Sequence, residues 1–553
     1  MKDNLYKELA RKIIDGISIY DKNAPTAAQI EALAGAEFTG QENAPRLPRR
    51  LAEVQQLLRA LGAALPPERI NWWNRLCRGQ LLALAKQARR DEEDERQCEE
   101  ERRTSLQRTV RFEYRFHPVG QGLFVSGDLH VGIETAKEQW SRIPFVWVSD
   151  CGSDEPTVAV REAELFVDRM RHKQRIGLIT LSHFDKDHIN AVRVLASRRG
   201  VDRLVLPYAR LADRLALVLD LEPDDPDGLD YILNPSGWWL QQLGDRVRQV
   251  INVVGGGDPA QRVPNPEKRQ QSKTHHDDVV IPVQDEVPDD DNLVDEIDRE
   301  SQQAARSGAV QFVNHRYPAE CLGVWEFVFY NTPRPNLPFD FDNMINGLVR
   351  KYWKPGQRIS KSNELLIELQ RLYAARFGKS SKAKNNISLV TYSGLAFDRL
   401  IEPGFLSGSG FPSCYPPSRS GLTDHSPPVV RARSPLAMLH TGDITMNRTN
   451  LTCLKRHLGE DRWKGVSVYQ VPHHGAKSSW DPSTRDEYKH LWSVFSAGRL
   501  SKYRHPHRKV VKGLSEHWPV FVNEFQSAAW DGHAELRIPK GKQISREAWR
   551  WKL

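Results

Sequence analysis

The run Ile176-Gly-Leu-Ile-Thr-Leu181, followed at once by Ser182-His-Phe-Asp-Lys-Asp-His188, constrains this chain more than any other stretch. A short β-type run ends at Leu181, and apolar residues at Ile189, Val192 and Leu195 open a helical periodicity just beyond His188. His183, Asp185, Asp187 and His188 are therefore expected on a strand-to-helix turn. Such turns, at the carboxyl ends of strands, are where α/β folds put their ligands, because the elements on both sides fix the backbone. Imidazole and carboxylate together suit zinc, manganese or iron, whereas calcium asks for oxygen alone. A polar turn with no metal has the same letters, so the loop needs company elsewhere in the chain.

The length of 553 residues leaves room for several domains and a large core. Hydrophobic residues make up 39%, charged residues 27%, and the mean hydropathy is −0.58, which predicts a soluble chain with polar insertions. No apolar run reaches the roughly 20 residues of a membrane span, and the first residues lack a signal-peptide core, so a cytoplasmic protein without membrane contact is expected. The six cysteines are scattered without a Cys-x-x-Cys pair, which argues against a disulfide framework or a zinc knuckle. Any metal then falls to histidine and carboxylate. The net charge of +8 and pI near 9.0 suit an anionic partner such as nucleic acid.

Residues 1–108 are expected to form a helical module. Leu51 to Leu61 and Leu81 to Ala88 carry apolar residues three and four apart, and Arg89 to Arg103 is a mixed-sign charged run suited to an exposed helix. This module is a candidate adaptor for a protein partner. From about residue 109 the texture turns to β-type runs such as Arg111 to His117 and Phe145 to Ser149. Three insertions interrupt it: a polar, acidic stretch at about 255–308, expected to be disordered or a lid; 333–384, with a helical pattern and a basic tail; and the Gly/Ser/Pro-rich 404–435.

Four further β-type runs end in chemistry-bearing residues: Phe145 to Asp150-Cys-Gly152, Leu436 to Thr-Gly-Asp443, Val466 to Pro-His473-His474-Gly475, and Val494 to Tyr503-Arg-His505-Pro506. Singly, each has an ordinary explanation, a helix cap or a surface histidine. Together with Val119-Gly-Gln-Gly122 and Asn385-Asn-Ile-Ser-Leu-Val390, in this order, they resemble the metallo-β-lactamase fold, and within it the hydrolase domain of ComEC-type competence proteins. The resemblance spans about residues 109–540 and excludes the family's membrane channel. It implies an α/β fold, an αββα sandwich, and two divalent ions, Mn²⁺ or Zn²⁺. By the same resemblance His183 and Asp185 would hold the first ion, Asp187 and His188 the second, and Asp443 would bridge them. His474 and His505 would complete the set, with His473 a ligand or a substrate contact and Asp150 orienting a ligand from behind. Asp185 stands where the wider fold often has histidine; this harder oxygen donor favours manganese. The family's Ser after His-His-Gly is replaced by Ala476, followed by Lys477, which puts that substrate contact in doubt.

A two-metal centre polarises phosphoryl oxygens and acidifies a water, and phosphodiesters gain most from it. The catalytic set expected on this basis is Asp187 with His473 or His507 as proton donor. Arg499, Lys502, Tyr503 and Arg504, with Lys477, form a basic, aromatic-bearing strip suited to a single strand; a solvated basic helix start is its ordinary alternative. The expected function is thus a metal-dependent nuclease, of a kind suited to regulated use in bacterial defence or DNA processing. The alternatives are a hydrolase of a small phosphodiester, such as a cyclic nucleotide or phosphorylcholine-type ester, and an interaction protein with a regulated or inactive metal domain.

Overall fold

The computed structural model describes residues 2–15, 25–35, 48–103, 105–134, 140–221, 226–255, 279–280, 295–304, 308–331, 339–355, 363–377, 388–396, 437–489, 491–499, 501–515 and 518–539. The chain divides into two compact units, Met1–Ser105 and Leu106–Leu553.

The first unit is helical: Lys2–Asp15, Ala27–Ala34, Arg49–Ala63 and the long helix Ile70–Arg103. Its core is a stripe at four-residue spacing on the long helix, Trp73, Cys77, Leu81 and Ala85, packed with Leu51, Leu58, Ile30 and Leu33. The Trp73 indole donates to the Leu58 carbonyl (3.1 Å), so its polar edge is satisfied inside the core. Thr26 and Gln29 form a capping box at the start of the second helix. Part of the charged run has a structural task beyond facing solvent: Arg89 pairs with Glu31 at 2.6 Å, and Glu92 accepts from the Ala27 backbone at 2.8 Å.

In the second unit the described strands, in chain order, begin with β1 Ser105–Phe116, β2 Phe124–Glu134, β3 Trp140–Cys151, β4 Ile176–Thr180, β5 Val201–Pro207, β6 Val247–Val254, β7 Val279–Val280 and β8 Val310–Asn314. They continue with β9 Ala319–Cys321, β10 Trp325–Asn331, β11 Leu389–Leu395, β12 Ala437–His440, β13 Val466–Gln470, β14 Trp492–Ser496, β15 Pro519–Val522 and β16 Ala528–Pro539. Two mixed sheets result, ordered β16-β1-β2-β3-β4-β5-β6-β8 and β15-β14-β13-β12-β11-β10-β9-β7. β3 through β6 and β8 run parallel in the first, and β12 through β15 in the second.

The period of two along each strand sorts side chains into layers. Trp147, Leu178 and Val205 of the first sheet share one core with Phe327, Met438, Val468 and Val494 of the second, so the sheets pack face to face. Their sequence neighbours point the other way. Val148, Ile179 and Leu204 pack under helices that include Pro156–Arg169 and Val192–Arg199, while Leu439, Tyr469 and Phe495 pack under Arg448–Leu458 and Arg508–Leu514. The chain is thus α/β, with helices outside two facing sheets. Trp325 bonds Ser393 Oγ through its indole (3.0 Å) and anchors an aromatic group with Trp147, Tyr114 and Phe112 at the centre of the sandwich.

Several expectations need amendment. Strand β1 begins at Ser105, ahead of the change in texture near residue 109. The stretch 255–308 is not wholly a disordered or lid-like segment: it contains the helix Glu296–Ala304, whose Asp298 lies buried against the buried Arg214 at 2.6 Å. The stretch 333–384 contains two helices, Phe339–Tyr352 and Asn363–Phe377, whose Ile345 and Leu369 join the core of the first sheet's outer face. Its basic tail, all of 404–435, and Asn385 lie outside the described residues. No described helix is long and apolar enough to cross a membrane.

Candidate metal centre

Because β3 and β4 are parallel, and so are β12, β13 and β14, the chain leaves each set of strands on one edge. Asp150 lies one residue before the end of β3, His183 follows β4, Asp443 follows β12 and His474 follows β13. Glycines let these loops touch. A Cβ on Gly152 would sit 2.5 Å from the Asp187 carbonyl carbon and 2.6 Å from the His188 nitrogen. One on Gly442 would sit 2.6 Å from Ser182 Cβ, and φ there is +55°. These contacts explain the glycine in Asp-Cys-Gly and in Thr-Gly-Asp. Gly152→Ala is accordingly expected to displace backbone rather than a side chain and to destabilise the unit by about 1–3 kcal/mol. Unchanged thermal melting of that variant would contradict the packing described.

The imidazoles are aimed from behind. Asp150 is fully buried; its carboxylate accepts from the Ser182 backbone (2.6 Å), the Ser182 hydroxyl (2.6 Å) and His188 Nδ1 (2.8 Å). Ser182 has a single hydroxyl proton and gives it to Asp150, so at its 2.8 Å contact His183 Nδ1 is the donor. His474 Nδ1 donates to the Ser496 carbonyl at 2.7 Å. Each ring therefore commits Nδ1 to the scaffold and turns Nε2 inward, as metal-ligating histidines are held by outer partners.

Inside, His188 Nε2 lies 3.4 Å from Asp443 Oδ1 and 3.9 Å from Asp187 Oδ2, His474 Nε2 lies 3.2 Å from Asp187 Oδ2, and His183 Nε2 lies 3.7 Å from Asp185 Oδ2 and 3.8 Å from Asp443 Oδ2. Three overlapping groups have donor atoms close enough to share an ion: His183, His188 and Asp443; Asp187, His188 and His474; and His183, Asp185 and Asp187. Nε2 of His183 and of His188 and Oδ1 of Asp443 are buried without a hydrogen bond. Buried polar atoms are rarely left so, and a cation between them satisfies all three.

Electrostatics agree with that donor set. Burial alone would raise the Asp443 carboxyl, but His473, His183 and His188 hold it well below the usual range. Burial alone would lower His188, but Asp187, Asp150 and Asp443 raise it well above an ordinary imidazole. The negative field that keeps a proton there is one that favours a divalent cation. His183, by contrast, is lowered to about 4 by burial and by His188, so it is neutral and ligand-competent at neutral pH.

The other expected residues flank this cluster. His473 Nε2 is 3.5 Å from Asp443 Oδ2 and its Nδ1 is 3.1 Å from Ser479 Oγ. His505 belongs to none of the three groups; its ring lies 5.7 Å from that of His473, and burial, with His474 and His473, lowers it to about 4. His507 caps the helix Arg508–Leu514, its Nδ1 accepting from the Lys509 backbone (3.2 Å), a structural task for a residue expected to donate a proton. Lys502, Tyr503 and Arg504 are exposed in the loop before that helix, with Lys502 over the Tyr503 ring at 5.0 Å. Arg499 is exposed too, and its backbone donates to Glu524. Lys477 is exposed on the short turn Lys477–Ser479. Lys502, Tyr503 and Arg504 thus lie in a loop, and the basic stretch ends in an exposed helix start at Arg508 and Lys509. Asp150, His473, His474 and Arg504 all take positive φ, the strained backbone that clusters at functional sites.

Three residues not singled out in the sequence belong to the site. Ser182 couples Asp150 to His183. His440, at the end of β12, is buried with Nε2 3.6 Å from Asp150 Oδ2. Gln470 accepts from the Thr441 backbone at 2.7 Å and ties the Thr-Gly-Asp loop to β13. The signal for His440 was its position, a polar residue in an apolar run directly before Thr441. If Asp150 aims the rings, Asp150→Ala should weaken divalent-metal affinity about 10–100-fold in a chelator competition; wild-type affinity in that variant would refute the orienting role.

No protein-family model matches the chain, and neither does any curated protein.

Proposed function

We propose that the second unit is a metallo-β-lactamase-type αββα hydrolase, that its centre holds two divalent ions, manganese or zinc, and that it acts as a nuclease. The observation that carries this reading is the common aim of three imidazoles. His183, His188 and His474 turn Nε2 toward Asp187 and Asp443 in a space closed to solvent on the scaffold side, and Asp185 supplies a further, half-exposed oxygen. Metal ions bound there would polarise phosphoryl oxygens and acidify a water for in-line attack.

The chain's own residues do the rest. Asp443, reached by His183, His188 and His473, would hold an ion together with His183 and His188, while Asp187 and His188 recur in the neighbouring groups and would tie the two sites together. His473 is partly exposed and its imidazole is lowered by burial, which suits it to accept a proton or to contact the substrate beside Asp443. Arg499, Lys502 and Arg504 supply cations on an open surface near His505, where the Tyr503 ring stacks beside His505 under Lys502; this open strip favours a polymer over a small ester. The helical first unit remains a candidate adaptor for a protein partner.

The test is a substrate panel with the purified full chain in Mn²⁺ and in Zn²⁺: labelled single- and double-stranded DNA and RNA beside a cyclic dinucleotide. Metal-dependent cleavage of a nucleic acid strand is expected. Turnover confined to the cyclic dinucleotide would replace the nuclease reading with that of a small-phosphodiester hydrolase.

A further inference from the structure

Beside the metal cluster, at the carboxyl ends of β14 and β15, lies a cavity of about 330 Å³, within the size range of small-ligand sites. His505 forms one wall, which places the cavity next to His473 and, through it, next to Asp443. Another wall is Phe521, 38% exposed, whose ring stacks on the buried Phe495 at 5.3 Å and 15°. Backed this way, the ring offers an apolar face to the cavity. Asn523 and Gln526 form the rim. Their backbones pair across a tight turn (3.1 and 3.4 Å), which holds the two amide side chains near each other. Asn523 Oδ1 accepts from the Phe525 backbone (2.9 Å), which leaves its amide protons for a ligand. Arg499 adds a cation at the mouth, and Gly498 lets the wall pack closely on what lies behind it: a Cβ there would come 2.8 Å from Glu524 Oε1 and 2.9 Å from the Gln121 nitrogen.

A flat aromatic platform, amide donors and acceptors at its edge, a cation, and a metal cluster one histidine away match the parts of a nucleotide: base, base edge and phosphate. We propose that this cavity is a subsite for one unpaired nucleobase, stacked on Phe521 and contacted at its edge by Asn523 and Gln526, so that the strand engaged at the metal centre is single-stranded. The proposal rests on the phosphodiesterase reading and specifies its substrate. A base held in a duplex has its edge and both faces occupied and cannot enter without being flipped out. Stacking tolerates every base, so the subsite selects for strandedness more than for sequence.

The experiment is binding without turnover. Fluorescence anisotropy of the full chain in chelator is measured with a fluorescein-labelled oligothymidylate and with the same backbone made of abasic residues. The base-bearing strand is expected to bind about tenfold tighter, and Phe521→Ala and Gln526→Ala each to reduce that preference. Gln526 sits on the turn, so its variant keeps the test valid if Phe521→Ala fails to fold. Equal affinity for both strands in the wild type, or an unchanged preference in both variants, would overturn the subsite. Base-dependent binding without metal-dependent cleavage would remove the phosphodiesterase reading alone, and cleavage without base dependence would remove the subsite alone.

Discussion

Replacing Asp187 and His188 together by alanine is expected to lower metal-dependent phosphodiester cleavage by at least about 10³-fold. Both residues contribute to the ion-sized group that includes His474, and His188 also belongs to the group with His183 and Asp443. Their loss removes a buried imidazole and a partly exposed carboxylate from one spot, leaving His474 without its 3.2 Å partner. The backbone contacts of this loop, Leu123 N to Asp187 O (3.2 Å) and His188 N to Asp185 O (3.0 Å), survive the substitution, so the fold should persist. Single-turnover cleavage of a labelled strand, with circular dichroism as the folding control, reads the effect. Equal turnover by wild type and variant would remove the metal centre from the mechanism.

The second large effect lies away from the chemistry. Asp298→Ala is expected to destabilise the second unit by about 3–5 kcal/mol, because it leaves Arg214 charged and buried. Arg214 spends its guanidinium on the carbonyls of Ile232, Ala209 and Leu233 and on both oxygens of Asp298, so it cannot turn to solvent. Tyr208 also donates to Asp298 at 2.7 Å and loses that partner. Chemical denaturation followed by tryptophan fluorescence measures the loss. A joint Arg214→Met, Asp298→Leu variant should recover most of it, since removing both charges leaves no buried ion unpaired; a joint variant no better than Asp298→Ala would show that the shape of the site, not its charge, sets the cost.

That ion pair also shows where sequence reasoning ran out. Residues 296–304, Glu-Ile-Asp-Arg-Glu-Ser-Gln-Gln-Ala, are polar enough to pass for a solvated insertion, and their docking depends on an arginine 84 positions away. Nothing local reports such a partner. The candidate metal loop was legible for the opposite reason: its donors are adjacent in sequence, and the flanking apolar patterns give strand and helix without tertiary information. The strands β5 and β6 carry the same lesson. Both are buried along most of their length, as parallel strands covered on both faces are, so they lack the alternation that marks a half-exposed strand. Ser182, His440 and Gln470 act across strands that meet only in the folded chain. Ser182 stands beside a histidine that was noticed, yet its task is set by Asp150, 32 residues earlier. The glycines of the motifs were visible as letters, but their reason, backbone against backbone at Gly152 and Asp187, is a contact between two loops.

The most direct test of the central claim is a metal count on the purified full chain by inductively coupled plasma mass spectrometry after equilibration with Mn²⁺ or Zn²⁺ and removal of free ion. The account predicts about two ions per chain, falling toward zero in an Asp443→Ala, His188→Ala variant that still melts cooperatively. Wild-type chain that retains no divalent ion, or a variant that retains as much as the wild type, would contradict it.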